Sequence, residues 1–241
     1  MRTLVVGDIH SGLRALEQLF DRAGVGPQDR LVFLGDYVDG WSTAVETVNH
    51  LIGLRDRFQC VFLRGNHDAL CREWLLTQKE NKQWLDHGGR ATRDSYLAAD
   101  RGIWDLHLQF FENLENFYLQ GDDRLFVHAG FTNLNGIYFE YFEPYQYWDR
   151  TLWELARALN PALRPTDADY PKRLGHYREI FIGHTPLSKS GGVPPRKAAN
   201  VWNVDTGAAF MGSLCMMDVE SKEYWLSDPV HTLYPGERGR N

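Results

Sequence analysis

Short apolar runs rich in β-branched residues alternate with segments of helical periodicity in the first quarter of the chain. Apolar residues fall on one helical face from Leu13 to Ala23, and Gly24 follows as a helix terminator. A second helix is predicted after Thr43, which with Glu46 has the spacing of a capping box. Strands are predicted at residues 3–6, 31–34 and 60–63. This order is typical of parallel strands joined by crossover helices, so we expect an α/β fold.

The rest of the chain has a long helical region followed by further strands. Residues 69–118 have a mostly helical pattern, broken at Gly88-Gly89 and at Gly102. Residues 188–196 contain Gly-Gly and Pro-Pro and are predicted to form a loop. Buried strands are predicted at residues 124–127 and 179–182, and a terminal antiparallel set at 200–205, 212–219 and 223–226.

Five of the apolar runs end in a polar, glycine-containing cluster. The clusters are Gly-Asp-Ile-His at 7–10, Gly-Asp-Tyr-Val-Asp at 35–39, Arg-Gly-Asn-His-Asp at 64–68, His-Ala-Gly at 128–130 and Gly-His-Thr-Pro at 183–186. Ligands of open α/β sheets bind at the carboxyl ends of the strands, so we expect these clusters to converge on one rim. The convergent residues are Asp8, His10, Asp36, Asn66, His128 and His184.

This convergent set has the composition of a metal site. Carboxylates, imidazoles and one amide oxygen, without a thiolate, suit Mn, Fe, Zn or Co rather than Cu(I) or an iron–sulfur cluster. Six such residues exceed the needs of one open catalytic site. A carboxylate can bridge two cations about 3.5–4 Å apart, and such a pair binds both the attacking and the leaving oxygen of a displacement at phosphorus.

The composition limits the kinds of partner and site that we expect. The 241 residues carry 26 Lys and Arg against 32 Asp and Glu, a formal charge of −6, which opposes binding to nucleic acid polymers or anionic membranes. The three cysteines, Cys60, Cys71 and Cys215, are too few and too widely spaced for a disulfide framework or a thiolate zinc cluster. With neither a secretory signal nor a membrane-spanning run in the sequence, we predict a cytoplasmic protein.

The motifs GDIH, GDYVD, GNHD, VHAG and GHTP occur in the order that they have in the calcineurin-like metallophosphoesterases. The chain resembles this family from Leu4 to about Val219, and specifically the phosphoprotein phosphatase superfamily with its bacterial Ser/Thr phosphatases and diadenosine tetraphosphate hydrolases. The segments WLDHGGRATRDSY at 84–96 and NVDTG at 203–207 are similar to elements of the bacterial branch. The resemblance implies a four-layer α/β/β/α sandwich in a single domain, 1–241.

The resemblance also implies a role for each motif residue. Asp8 and His10 would bind a first metal, Asp36 would bridge two metals, and Asn66, His128 and His184 would bind the second. His67 would be the general acid, with Asp39 orienting its imidazole. Asn66 and Arg150 would bind the substrate phosphate. The nucleophile would be a hydroxide held between two divalent ions, Mn first, with Fe, Zn, Co or Ni as alternatives.

One position departs from the family pattern. The second motif of the family usually continues Asp-Arg-Gly and donates an arginine to the phosphate, whereas here Asp39 is followed by Gly40-Trp41. The missing guanidinium is expected to weaken phosphate binding or to leave the task to another cation. Arg64 is one possible substitute.

The sequence allows two interpretations for each of two features. The aromatic stretch at residues 137–148 is either a substrate wall or, slightly favoured, a cover for the apolar core in a half-buried strand or short helix. Asp205 is either an acceptor that orients a ligand imidazole or a turn residue before Gly207. His87 is interpreted as a surface or packing residue.

The predicted activity is hydrolysis of phosphate monoesters, with protein phosphoserine or phosphothreonine as the first substrate and phosphotyrosine also allowed. The alternative substrate is diadenosine tetraphosphate or another small phosphate ester or diester. A binding module without catalysis is disfavoured, because both His67 and Asp39 are present. The sequence leaves the oligomeric state open.

Overall fold

Two five-stranded sheets pack face to face, and helices cover the outer side of each. The computed structural model describes residues 1–121 and 123–240. The strands are β1 (Thr3–Val6), β2 (Arg30–Phe33), β3 (Gln59–Phe62), β4 (Phe117–Gln120), β5 (Arg124–Val127), β6 (Glu179–Ile182), β7 (Arg196–Ala198), β8 (Val201–Asn203), β9 (Cys215–Asp218) and β10 (Tyr224–Leu226). Their order is β10-β9-β1-β2-β3 in the first sheet and β4-β5-β6-β8-β7 in the second.

The two sheets have the same plan. In the first, β1, β2 and β3 run parallel, and the late strands β9 and β10 add an antiparallel edge beside β1. In the second, β5, β6 and β8 run parallel, with β4 and β7 as antiparallel edge strands. Each sheet therefore has three parallel strands whose carboxyl ends point to one rim.

The helices are concentrated between the strands of the first sheet and before β4. They are α1 (Leu13–Ala23), α2 (Ala44–Leu54), α3 (Asn66–Thr77), α4 (Lys82–Trp84), α5 (Arg90–Ala98), α6 (Trp104–Glu112), α7 (Tyr145–Trp148), α8 (Thr151–Ala158), α9 (Lys172–Gly175) and α10 (Val230–Leu233). A π-helical segment, Leu85–Gly89, joins α4 to α5. Within the described ranges, no helix combines the length and the apolar character needed to cross a bilayer.

Alternation along the central strands produces the four layers. Leu4 and Val6 of β1 pack in the core under the helices of the first sheet, while Val5 points to the opposite face. In β6, Phe181 faces the first sheet, and its neighbours on either side belong to the outer core that also contains buried residues of α8. Phe126 and Phe181 stack between the sheets with ring centroids 5.0 Å apart. Successive strand residues point to opposite faces, so strands buried on both faces read as continuous apolar runs.

The predicted α/β/β/α architecture is confirmed. For most of the predicted strands, the predicted and observed bounds differ by one residue or little more. The first helix ends as predicted, with Gly24 in the left-handed conformation at φ 55°. Strand β4 was not predicted, because the helical pattern of residues 69–118 overlaps its start.

Two local predictions are wrong. Residues 200–205 do not join the terminal antiparallel set, because β8 pairs parallel with β6 in the second sheet. The capping box also does not form. The Thr43 hydroxyl donates instead to the carbonyl oxygen of Ser11 at 2.6 Å and so ties the start of α2 to the first polar loop.

Replacement of Phe181 tests the contact between the sheets. We expect Phe181→Ala to lower the free energy of unfolding by about 3–5 kcal/mol, because it opens a cavity where two rings now stack. Urea denaturation followed by circular dichroism measures this change. Leu97→Ala is the control, since Leu97 is 57% exposed. Equal stabilities of the two variants would contradict the layered core.

Candidate metal centre

The five polar clusters meet at the rim formed by the parallel strands. Asp8, His10 and Asp36 form one group of possible metal ligands, and Asp36, His128 and His184 form a second. Within each group the ligand atoms lie within 4.8 Å of one another, and every member is buried. The structure thus brings together residues up to 176 positions apart, and the two groups share Asp36.

The shared carboxylate lies between two imidazoles. Asp36 Oδ2 is 3.6 Å from His10 Nε2 and 3.5 Å from His128 Nε2. The Nδ1 atom of His10 lies 3.1 and 3.0 Å from the carbonyl oxygens of Val38 and Asp39. Because a carbonyl can only accept, Nδ1 carries the proton and Nε2 keeps its lone pair toward the site.

The second group is oriented in the same way. His128 Nδ1 donates to the carbonyl oxygen of Leu34 at 2.8 Å, so its Nε2 faces the rim. Asn66 Oδ1 lies 3.3 Å from His128 Nε2 and 2.8 Å from His184 Nδ1. An amide oxygen that converges with two imidazole nitrogens and a carboxylate completes a donor set for a divalent ion.

Unpaired atoms support the same interpretation. Asp8 Oδ2 accepts a hydrogen bond from the backbone N–H of His184 at 2.9 Å, while Asp8 Oδ1 is buried with no partner among the described residues. A buried carboxylate oxygen without a donor is costly. A cation at the first group would satisfy it, so the residues fit divalent metals.

Two motif glycines make room for the carboxylates. A Cβ added to Gly183 would lie 2.0 Å from Asp8 Oδ1, and one added to Gly65 would lie 2.1 Å from Asp36 Oδ1. Any other residue at these positions would displace the carboxylates. These two positions require glycine for close approach rather than for turn geometry.

Asp68 was not predicted as a site residue, yet it shapes the loop around Asp36. Its carboxylate accepts hydrogen bonds from the backbone N–H groups of Asp36 and Tyr37 at 2.8 Å and of Gly65 at 2.9 Å. Asp36 has a φ of 54°, an unfavourable value for a residue with a Cβ. The Asp68 contacts hold it there. The sequence signal that could have identified Asp68 was its place as an acidic residue in the same motif as the ligand residues.

Burial and neighbouring charges both shift the pKa values of the site residues. Burial raises the pKa of Asp8 well above its usual value, and the nearby Asp205 raises it further. Burial acts in the same direction on Asp36, but attraction to His128 and His67 outweighs it and holds the pKa of Asp36 well below its usual value. Burial alone would lower the pKa of His128, whereas the Asp36 carboxylate raises it to about 9. Cation binding would therefore displace a proton.

His67 and Asp39 form a hydrogen-bonded pair at the edge of this centre. His67 Nδ1 donates to Asp39 Oδ2 at 2.5 Å, which leaves Nε2 as the free ring nitrogen. Trp84 Nε1 donates to the same oxygen at 2.7 Å, and the Asp39 backbone N–H donates to Thr92 Oγ1 at 2.8 Å. Sequence reasoning noted the segment at 84–96 but missed that Trp84 and Thr92 fix Asp39.

A pocket of about 430 Å³ opens from the metal-ligand groups. Its floor includes Asp36 and His67, and Trp84 lies in its wall. Arg150 also lines it, so the structure places the predicted phosphate-binding arginine near the rim. The remaining cationic and aromatic lining residues are Trp148, Lys189, Phe210 and Arg240.

The comparison with protein families settles the affiliation. The family model described as calcineurin-like phosphoesterase matches residues 1–211. This chain belongs to the calcineurin-like phosphoesterases. The protein is therefore a metal-dependent phosphoester hydrolase, and its fold implies divalent metal ions.

Several relatives of this phosphoesterase differ in their substrates. The asymmetrical bis(5'-nucleosyl)-tetraphosphatase PrpE of Anoxybacillus flavithermus is 27% identical over 254 residues, which cover 98% of this chain and 97% of PrpE. A PP2A-like serine/threonine phosphatase of Candida albicans is 46% identical over 67 residues, 27% of this chain and 16% of that protein. The chain also matches a solved structure, a serine/threonine phosphatase from Saccharomyces cerevisiae. The match covers 100% of this chain and 83% of the yeast chain, with a TM-score of 0.64 and 18% identity, and it shows that the two share a fold.

The structure decides several open points of this phosphoesterase. Arg64 donates to the carbonyl oxygens of Glu112 and Leu114 and does not line the pocket, so it does not replace the missing arginine. Asp205 accepts from the backbone N–H of Gly207 at 3.0 Å, which is the turn role. His87 is exposed, as expected of a surface residue, and it also lines the pocket.

The favoured interpretation of the aromatic stretch is right about a short helix and wrong about a cover for the core. Residues 137–148 form a 3₁₀ turn and the short helix α7. Tyr138 is 72% exposed and Tyr141 is 90% exposed, so they do not cover the core. Trp148 alone among the aromatic residues of this stretch lines the pocket. Of the two glutamates in this stretch, Glu143 is exposed, whereas Glu140 is buried and accepts hydrogen bonds from Thr132 and Asn133.

Substitution of Gly183 tests the fit to metal. We expect Gly183→Ala to abolish the rise in Tm that Mn²⁺ gives the wild-type protein, because the added methyl group displaces Asp8 Oδ1. Differential scanning calorimetry with and without Mn²⁺ measures this. Gly53→Ala in α2 is the matched control, since its Cβ would meet no atom within 4 Å. If Gly183→Ala kept the full Mn²⁺-dependent rise, the metal assignment at Asp8 would be wrong.

Proposed function

We propose that this phosphoesterase holds two divalent ions, Mn²⁺ first, on either side of Asp36. Asp8 and His10 would complete one site, and Asn66, His128 and His184 the other. The observation that carries this proposal is the position of Asp36 Oδ2, 3.6 and 3.5 Å from the two facing imidazole nitrogens. When bound, such a metal pair lowers the pKa of water toward neutrality and binds phosphoryl oxygens.

His67 is proposed as the general acid for the leaving oxygen. Its Nδ1–H is fixed on Asp39, so the proton that reaches the leaving group comes from Nε2. Asp39 fixes the orientation of the imidazole ring, and its own position is held by Trp84. The acid is therefore oriented before substrate binds.

We propose a small polyphosphate, of the dinucleoside polyphosphate class, as the substrate. Arg150, Lys189 and Arg240 supply three cations around one pocket, and Trp148 and Phe210 supply aromatic surfaces. Cations bind phosphate oxygens, and aromatic rings stack on bases. A volume of about 430 Å³ is in the range of small-molecule sites. The similarity to PrpE along nearly the whole chain supports the same class.

Protein phosphoserine or phosphothreonine is the second candidate. The aromatic side chains between residues 138 and 145 are exposed next to pocket residue Trp148 and could contact a polypeptide. The local similarity to a PP2A-like phosphatase supports this class.

A substrate panel separates the two classes. Initial rates of the Mn²⁺-loaded protein are measured on diadenosine tetraphosphate, a phosphoserine peptide, a phosphotyrosine peptide and an aryl phosphodiester. We expect the dinucleotide to have the highest kcat/KM, because only it engages the cations and the rings together. A higher kcat/KM for the phosphoserine peptide would overturn the small-polyphosphate proposal in favour of the second candidate.

Replacement of His67 tests the acid. We expect His67→Gln to lower kcat by about 10²–10⁴-fold with little change in KM, because proton donation is lost while the pocket is kept. The exposed His176, whose ring bonds to the carbonyl of Leu134, gives the control variant His176→Gln. A kcat for His67→Gln equal to that of the control would contradict the role of His67.

A further inference from the structure

The segment at residues 235–240, here called the C-terminal segment, docks on the loop that follows Asp39. Just before it, Tyr234 stacks on Trp41 with ring centroids 5.4 Å apart and an interplanar angle of 23°. Within it, the Glu237 carboxylate accepts hydrogen bonds from the backbone N–H and the hydroxyl of Ser42 at 2.9 and 2.7 Å. The segment is therefore held against the second polar cluster.

The course of Arg240 is set by two hydrogen bonds to carbonyl oxygens and by the space at Gly88. Its backbone N–H donates to the carbonyl oxygen of Ala209 at 2.9 Å, and its Nε donates to the carbonyl oxygen of His87 at 3.0 Å. A Cβ on Gly88 would lie 2.8 Å from Arg240 Cγ, and a Cβ on Gly40 would lie 3.5 Å from it. The aliphatic stem of Arg240 thus occupies space that Gly88 leaves open, and it passes at ordinary contact distance from Gly40.

The guanidinium of Arg240 faces the catalytic pocket. It lines the same pocket as Asp36, His67 and His184, and its Cζ lies 5.5 Å from the centroid of the Phe210 ring. Among the residues that the structure describes, this guanidinium donates a hydrogen bond only through Nε. Nη1 and Nη2 are therefore open to an anion.

Arg150 approaches from another side. Its Nη1 lies 3.5 Å from Thr185 Oγ1, beside the cluster that contains His184. Arg240 is anchored instead at the carbonyl oxygens of His87 and Ala209, and its stem lies beside Gly40, the residue after Asp39. Two guanidinium groups on different sides of one opening can bind different oxygens of a phosphoryl group.

We propose that Arg240 is a phosphate-binding residue, delivered by the C-terminal segment into the space beside Gly40. It would bind the substrate phosphoryl group through Nη1 and Nη2 as that group lies over the ligand residues. This proposal rests on the function proposed above only in taking the metal centre as the place of reaction.

The departure at Gly40-Trp41 then has a structural explanation. An arginine is absent at position 40, and the stem of Arg240 lies beside the glycine there. The adjacent Trp41 is buried and provides the surface on which Tyr234 stacks. The two residues together dock the segment that carries the replacement cation.

Phosphate affinity tests this proposal without reference to the organic part of the substrate. Isothermal titration calorimetry measures the Kd of inorganic phosphate for Mn²⁺-loaded wild type, Arg240→Met, Arg240→Lys and the control Arg90→Met. Arg90 pairs with Asp86 on the surface, so its variant removes the same charge away from the pocket. Calorimetric Tm values of the four proteins check that each is folded.

We expect Arg240→Met to weaken phosphate binding by about ten-fold, since charge-assisted hydrogen bonds are lost. Arg240→Lys should lie between wild type and Arg240→Met, and Arg90→Met should match wild type. A Kd for Arg240→Met within about two-fold of the control would overturn the proposal.

The outcome is separable from that of the substrate panel. If phosphate affinity falls as expected and the dinucleotide is not hydrolysed, the assignment of Arg240 stands and the substrate class fails. If the dinucleotide is hydrolysed and phosphate affinity is unchanged in Arg240→Met, the substrate class stands and Arg240 has no part in phosphate binding.

Discussion

A carboxylate buried between two imidazoles imposes the main constraint on this molecule. Asp36 is 2% exposed, and an ionised carboxylate at such depth is stable only with charged or hydrogen-bonding partners on several sides. His10 and His128 face Oδ2, and the backbone N–H of His67 donates to Oδ1 at 2.9 Å. Each partner comes from a different polar cluster, so the clusters must converge for Asp36 to remain ionised. A metal pair would satisfy the same requirement more strongly.

The double sheet meets this constraint by rigid positioning. Each cluster follows the carboxyl end of a strand whose last residue is buried, and Phe126 and Phe181 stack on the inner face of the second sheet, in the core between the sheets. The loops themselves are held by hydrogen bonds from outside the ligand set, as with Asp68 below Asp36 and Trp84 below Asp39. The ligand side chains are consequently oriented by the fold before any ion or substrate binds.

The sequence was sufficient for the parts of the site that depend on local chemistry. Motif residues such as Asp8 and His184 could be predicted, because strand ends of a parallel sheet converge and metal ligands belong to few residue types. Strands such as β1 and β5 could be predicted from continuous apolar runs. The register of β8 could not, because a short apolar run does not reveal which strand it joins.

Contacts between distant segments account for what was missed. Arg240 lies 200 positions from Gly40, and nothing in a local pattern links the two. The exposure of Tyr138 and Tyr141 likewise depends on what the fold leaves uncovered, not on the composition of their segment. Trp84 was noticed within a motif-like segment, but its bond to Asp39 required the coordinates.

Anomalous diffraction from crystals of the Mn²⁺-loaded protein, collected at the manganese edge, tests the central claim most directly. The account predicts two anomalous peaks, one beside Asp8 and His10 and one beside Asn66, His128 and His184, with the Asp36 carboxylate in contact with both. A single peak, or two peaks that do not share Asp36, would contradict it.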